Sequence, residues 1–241
     1  MSLFKKFKNE SETQAMELLN SSVANVEEMK KMYSSLFPYS KLSDASKDFK
    51  ASATSATNEK VALAVSATLD MVSEQSIVLD KLEHFITLHV PKIEDGGNFG
   101  VGVQLDLVKK LGEMKESATK STEALLGYDA ARSDALGKLN LPSSSKSVTK
   151  STSDTTTDGK KEDKSSETIE EKENTPSPSG PAYESKEKAV VAVDTLYYYK
   201  ARGILGETII SFVAVMDFID KNKDKLVEPK GKSGSSNFSM Y

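Results

Sequence analysis

His84 and His89 are the only histidines in this 241-residue sequence, and there is no cysteine. Nitrogen and sulfur ligands for a transition metal are therefore scarce. Five residues apart on a helix, the two rings stand about 140° apart around its axis. They cannot share an ion on one face, and no acidic cluster completes a site; the spacing predicts two ordinary surface or interface histidines. The sequence holds no Gly-x-Ser-x-Gly nucleophile elbow and no Walker phosphate loop. Gly96, Gly97, Gly100 and Gly102 are clustered as in a phosphate cradle, but no strand precedes them and Glu94 and Asp95 would repel a phosphate. The expectation is a protein with no catalytic residues, no metal and no cofactor.

Two segments carry binding chemistry instead. Pro91-Lys92-Ile93-Glu94-Asp95-Gly96-Gly97-Asn98-Phe99-Gly100-Val101 puts two carboxylates, two adaptable glycines and an aromatic ring on one turn. A plain connector in which Asn98 caps the next helix fits the same composition. The second segment is the tail Lys230-Gly231-Lys232-Ser233-Gly234-Ser235-Ser236-Asn237-Phe238-Ser239-Met240-Tyr241. Its Gly/Ser spacing, apolar terminal cluster and free carboxylate suit capture in a partner's pocket. A frayed terminus is the commoner fate of such a tail.

Long helices have to position both segments. Met16, Leu19, Val23, Val26, Tyr33 and Phe37 recur at steps of three and four, interrupted only at Lys30, which predicts a helix over 9–37. Pro38 ends it. Asn58 is a plausible N-cap for a second helix, 58–90, carrying Leu69, Val72, Leu79, Leu82, Ile86 and Val90 and stopped by Pro91. At about 1.5 Å per residue this is a rod of about 48 Å. A third helix, 99–139, repeats Val103, Leu107, Leu111, Met114, Ala118 and Leu125. A fourth, 186–226, is apolar on almost every side between Ile204 and Ile219, which means burial on more than one side. In so small a bundle a second subunit most easily covers the extra side.

Residues 143–185 have only Val148, Ile169, Ala182 and Tyr183 as apolar side chains among Ser, Thr, Lys, Asp and Glu. They cannot bury enough surface to offset ordering, and disorder is expected. The rest fits one domain with a flexible tail at 229–241. The fold expected is all-α, an up-down-up-down four-helix bundle. In that topology the 91–101 turn and the C-terminal tail lie at one end, and the 143–185 insertion at the other.

The apolar share is 37%, the charged share 28% and the formal charge −4, which argues against nucleic acid as the main partner. No run reaches the length and apolarity of a membrane span, and residues 1–8 lack the apolar core of a secretory signal. With cysteine absent, an intracellular protein is expected, cytoplasmic or nuclear, and no membrane partner.

The two segments resemble those of a known family, the 11S proteasome activators or REG family. Its activation loop commonly reads Pro-Arg/Lys-Ile-Glu-Asp-Gly-Asn-Asn-Phe-Gly-Val followed shortly by Val-Gln, matched here from Pro91 to Val101 and by Val103-Gln104. Phe37-Pro38, Asn58-Glu59-Lys60-Val61, Leu226-Val227-Glu228-Pro229-Lys230-Gly231 and Met240-Tyr241 resemble the family's helix ends and terminus. The resemblance implies rings, heptamers, of four-helix subunits acting on the 20S proteasome without ATP hydrolysis. It further implies that Ser239, Met240 and Tyr241 dock in pockets of the α-ring, with the terminal carboxylate pairing with a pocket lysine. Lys92, Ile93, Glu94, Asp95, Gly96, Gly97, Asn98, Phe99 and Gly100 would then form the loop that widens the gate.

Three departures stand out. Gly97 replaces the first loop asparagine, Ser239-Met240-Tyr241 replaces Met-Ile-Tyr, and the charged insertion lies between helices three and four rather than one and two. The first implies gate opening weaker than binding. A different class also fits the composition: a helical-bundle adaptor or membrane-surface scaffold using Leu3, Phe4 and Phe7 among Lys5, Lys6 and Lys8. That patch is too short for stable anchoring alone.

Overall fold

A computed structural model of the chain describes residues 3–92, 99–139 and 180–230. Among these, all regular structure is helical. Helix α1 (Leu3–Leu36) ends where Pro38 forbids another turn. It begins at Leu3 rather than residue 9, because Leu, Phe, Lys and Glu sustain helix without needing an apolar stripe. Lys6 and Glu10 form an i, i+4 pair at 3.7 Å in this first stretch. Its buried positions are Ser11, Ala15 and Met29, whereas Val23 is exposed.

The connection after α1 carries a short α2 (Leu42–Phe49) and a 3-10 turn (Lys50–Ser52). Ala45 and Phe49, four apart on one face of α2, are both buried. Asn58 then caps α3 (Glu59–His89): its backbone is extended and its side chain accepts from Val61 N at 3.4 Å.

The expected third helix is two. Helices α4 (Phe99–Leu126) and α5 (Tyr128–Gly137) are separated at Gly127, where ψ is 0°. A Cβ there would stand 2.9 Å from the Tyr197 hydroxyl, the far end of a side chain of α6 that packs against the break. Helix α6 (Pro181–Val227) starts earlier than residue 186, and residues 181–185 are helical rather than part of the insertion. Gly180 has φ 124° and Pro181 takes the first helical position, a start signal independent of apolar content. Residues 143–179 of the insertion, and 140–142 before it, lie outside the described residues.

Helices α3 and α6 form a central pair, with α1 packed against both from one side and α4 against both from the other. Against the expectation that no run reaches the length and apolarity of a membrane span, α3 does so by length and composition alone, and its place between neighbouring helices explains that composition. Here it has three helical neighbours, and Leu82, Phe85 and Ile86 are buried in their common core. On α6, Leu205, Ile209, Phe212, Val215, Met216 and Ile219 are buried, while Ile210 is 71% and Val213 40% exposed. Its second apolar side thus remains uncovered within one chain.

Candidate functional site

Three helix termini meet at one end of the bundle. Helix α3 ends at His89 because Val90, preceding Pro91, takes an extended conformation with ψ 122°. The last carbonyls of a helix have no partners within it and need others. Gln104, in the second turn of α4 and fully buried, supplies them: its Nε2 donates to His89 O at 3.1 Å and to Leu226 O at 2.8 Å. One amide side chain therefore joins the end of α3, the start of α4 and the end of α6.

Next to it, Gly100 lies in the first turn of α4 against the backbone of Pro229. A Cβ at position 100 would fall 2.2 Å from Pro229 O and 2.5 Å from its Cα, so only glycine permits this approach. Lys230 Nζ donates to Lys92 O at 3.4 Å. Both roots of the 93–98 segment are thereby tied to the root of the C-terminal tail. The roots of turn and tail thus lie at one end of the bundle; residues 93–98 and 231–241 themselves are outside the described residues.

His89 is buried here, not a surface histidine like His84. Its Nδ1 lies 2.8 Å from Phe85 O, and its ring is 4.5 Å from the Phe85 ring. Since Phe85 O only accepts, Nδ1 carries the hydrogen. Nε2 faces Glu12 Oε2 of α1 at 3.6 Å.

Of the residues that sequence reasoning assigned to the loop, Lys92 is exposed after α3, Phe99 opens α4 and Gly100 is buried against Pro229. Ile93, Glu94, Asp95, Gly96, Gly97 and Asn98, and Ser239, Met240 and Tyr241 of the tail, lie outside the described residues. Gln104 was visible only as the end of the loop motif. The physical signal was a polar residue in the core stripe of α4, about one turn before Leu107 and two before Leu111, both fully buried.

The opposite end holds charge. Asp194 of α6, fully buried, accepts from Arg132 Nε (2.9 Å), the Tyr128 hydroxyl (2.8 Å) and Asn58 Nδ2 (2.9 Å). Arg132 also donates to Ser52 O, Ser55 O and Ala56 O, each at 2.8 Å. Burial, then the hydrogen bond to Asp194, pushes the Tyr128 phenol well above its usual range. Together these contacts tie α5 to α6 and both to the connection before α3. The cluster is a girdle, with its charges paired and hydrogen-bonded. Among the described residues no group of three or more His, Asp and Glu side chains is placed to hold a metal.

With this geometry established, similarity to known proteins becomes informative. Residues 54–143 match the family described as proteasome activator PA28, C-terminal. Over 55 residues the chain is 36% identical to proteasome activator 28 of Dictyostelium discoideum, a match spanning 23% of this chain and 24% of that relative. The fold is similar to the 11S subunit of the Plasmodium falciparum proteasome, PA28, at TM-score 0.62 and 18% identity, covering 94% of this chain and 92% of that one. It is likewise similar to PA26 in complex with an archaebacterial 20S proteasome, at TM-score 0.65 and 15% identity, with 99% and 98% covered.

Proposed function

We propose, from the match of residues 54–143 to the family described as proteasome activator PA28, C-terminal, and from a fold similar to that of 11S activators, that the protein is a non-ATPase activator of the 20S proteasome. It is a regulator rather than a peptidase. The tail ending in Ser239-Met240-Tyr241 docks in pockets of the α-ring, and the 92–100 loop presses the gate open so that peptides enter.

The single observation that carries this reading is the convergence at Gln104 and Gly100. A tail that docks and a loop that acts must reach the same surface together, and their roots are joined through Leu226, Pro229, Lys230 and Lys92. Docking energy at the tail thus holds the loop at a fixed offset from its target. Gly97, in place of a side chain that could touch the gate, makes opening weaker than binding.

Self-assembly belongs to the same proposal. Ile210, Val213, Tyr199 and Leu196 of α6, with Val23 of α1 and Leu42 of α2, are exposed apolar side chains, and Leu63, Ile77, Leu105 and Leu126 form a second set on α3 and α4. Pairing of two different patches is head-to-tail, which gives a ring where the rotation between subunits closes; the family resemblance implies a closed ring of seven. A ring presents one tail per subunit, so weak single contacts add through effective concentration.

The test is co-sedimentation with a 20S core, together with peptide hydrolysis in the absence of ATP. The full chain sediments with the core and accelerates hydrolysis, and removing Met240 and Tyr241 abolishes both. No co-sedimentation with unchanged hydrolysis would sink the reading. A second reading, a membrane-surface scaffold, draws on Leu3, Phe4 and Phe7, which are 64%, 78% and 45% exposed at the start of α1 beside Lys5, Lys6 and Lys8. Flotation with anionic liposomes separates the two.

A further inference from the structure

We propose that Gln104 is a positioning residue that holds the loop in register with the tail, so that docking becomes opening only while its two hydrogen bonds stand. The inference rests on the activator reading and assigns within it a role to a side chain outside both the loop and the tail.

The chemistry at Gln104 is specific. A primary amide offers two N–H donors on one nitrogen, and both are used on backbone carbonyls of different helices, His89 O and Leu226 O. Because both partners can only accept, the reversed amide would set oxygen against two oxygens; the acceptors themselves fix its orientation. Neither glutamate nor methionine at this position donates, although both reach as far. Asparagine donates but is one methylene too short. The position therefore demands glutamine by donor number and length together.

The consequence is mechanical. The tail leaves the bundle within a few residues of Leu226, and the loop leaves it within a few residues of His89 and re-enters at α4, which carries Gln104 itself. Without the amide, the buried part of this junction is left to packing, which tolerates sliding that directed hydrogen bonds do not, while the hydrogen bond from Lys230 to Lys92 is exposed. The Gly100 contact with Pro229 is a second, independent link between α4 and the tail root, made by backbone alone.

The test uses the full chain with a 20S core and separates affinity from stimulation at saturation. In Gln104→Met, affinity for the core stays within about twofold, because the tail still docks, while stimulation at saturation falls about tenfold or more, the weight of two ordinary hydrogen bonds. A purely structural role would leave saturating stimulation untouched below the melting temperature, or lower affinity and stimulation together; either result overturns the proposal. Gln104→Asn, which keeps the amide donors but is one methylene too short to hold both carbonyls, gives the same split and decides the matter if Gln104→Met does not fold. Equal saturating stimulation by Gln104→Asn and the unmodified chain then overturns the proposal. If the unmodified chain neither binds nor stimulates, the activator reading itself falls, a result distinct from stimulation that is indifferent to position 104.

Discussion

The two ends of this bundle are held by different chemistry. At the end away from the tail, a buried ion pair between Arg132 and Asp194 is surrounded by hydrogen bonds from Tyr128 and Asn58 and to three backbone carbonyls. At the end that carries loop and tail roots, one neutral amide makes two hydrogen bonds and one glycine meets one proline. Buried charges are costly unless fully partnered, so the first arrangement tolerates almost no displacement. Neutral hydrogen bonds cost less to break and reform. Under the proposed function, the charged far end anchors the bundle while the two hydrogen bonds of Gln104 keep the roots of loop and tail in register.

Breaking the far end should have the largest effect on stability. Asp194→Leu leaves the Arg132 guanidinium buried without its partner, a loss of about 3–5 kcal/mol, and should lower the melting temperature by about 10 °C in calorimetry. Gln104→Met should cost about 1–3 kcal/mol, a few degrees in the same scan. If the two variants melt together, the contrast between the ends is wrong.

Alkaline pH should sharpen the contrast further. Burial above all raises Tyr198 from 10.0 to about 12, and Tyr128 also lies above its ordinary value. The folded protein keeps phenol protons that the unfolded chain releases above pH 10. Their contribution is intact below pH 10 and is lost as pH rises through the raised values. Melting temperature plotted against pH should fall in that window, and less steeply in Tyr198→Phe. Smallest of all, removing Met240 and Tyr241 should leave the melting temperature unchanged while eliminating 20S binding.

The helices were legible because apolar residues at steps of three and four leave a trace whether or not a partner is known, and Pro38, Asn58 and Pro91 mark their ends. What escaped were features that apolar spacing does not encode. The break at Gly127 faces Tyr197, 70 residues later in the chain, and the early start of α6 comes from Gly180-Pro181, inside a stretch of polar composition. The loop and tail stood out by composition and by family resemblance. Their connection did not, because Gln104, Leu226 and His89 are brought together only by packing, and no local pattern joins positions 122 residues apart. The ion pair of Arg132 with Asp194 was hidden for the same reason.

The central claim is that the end carrying loop and tail acts on the 20S gate. Hydrolysis of a short fluorogenic peptide by a purified 20S core, without ATP, titrated with the full chain, tests it most directly. The account predicts a rise in rate that saturates and disappears when Met240 and Tyr241 are removed. A flat titration, at concentrations where native mass measurement finds the protein assembled, would contradict it.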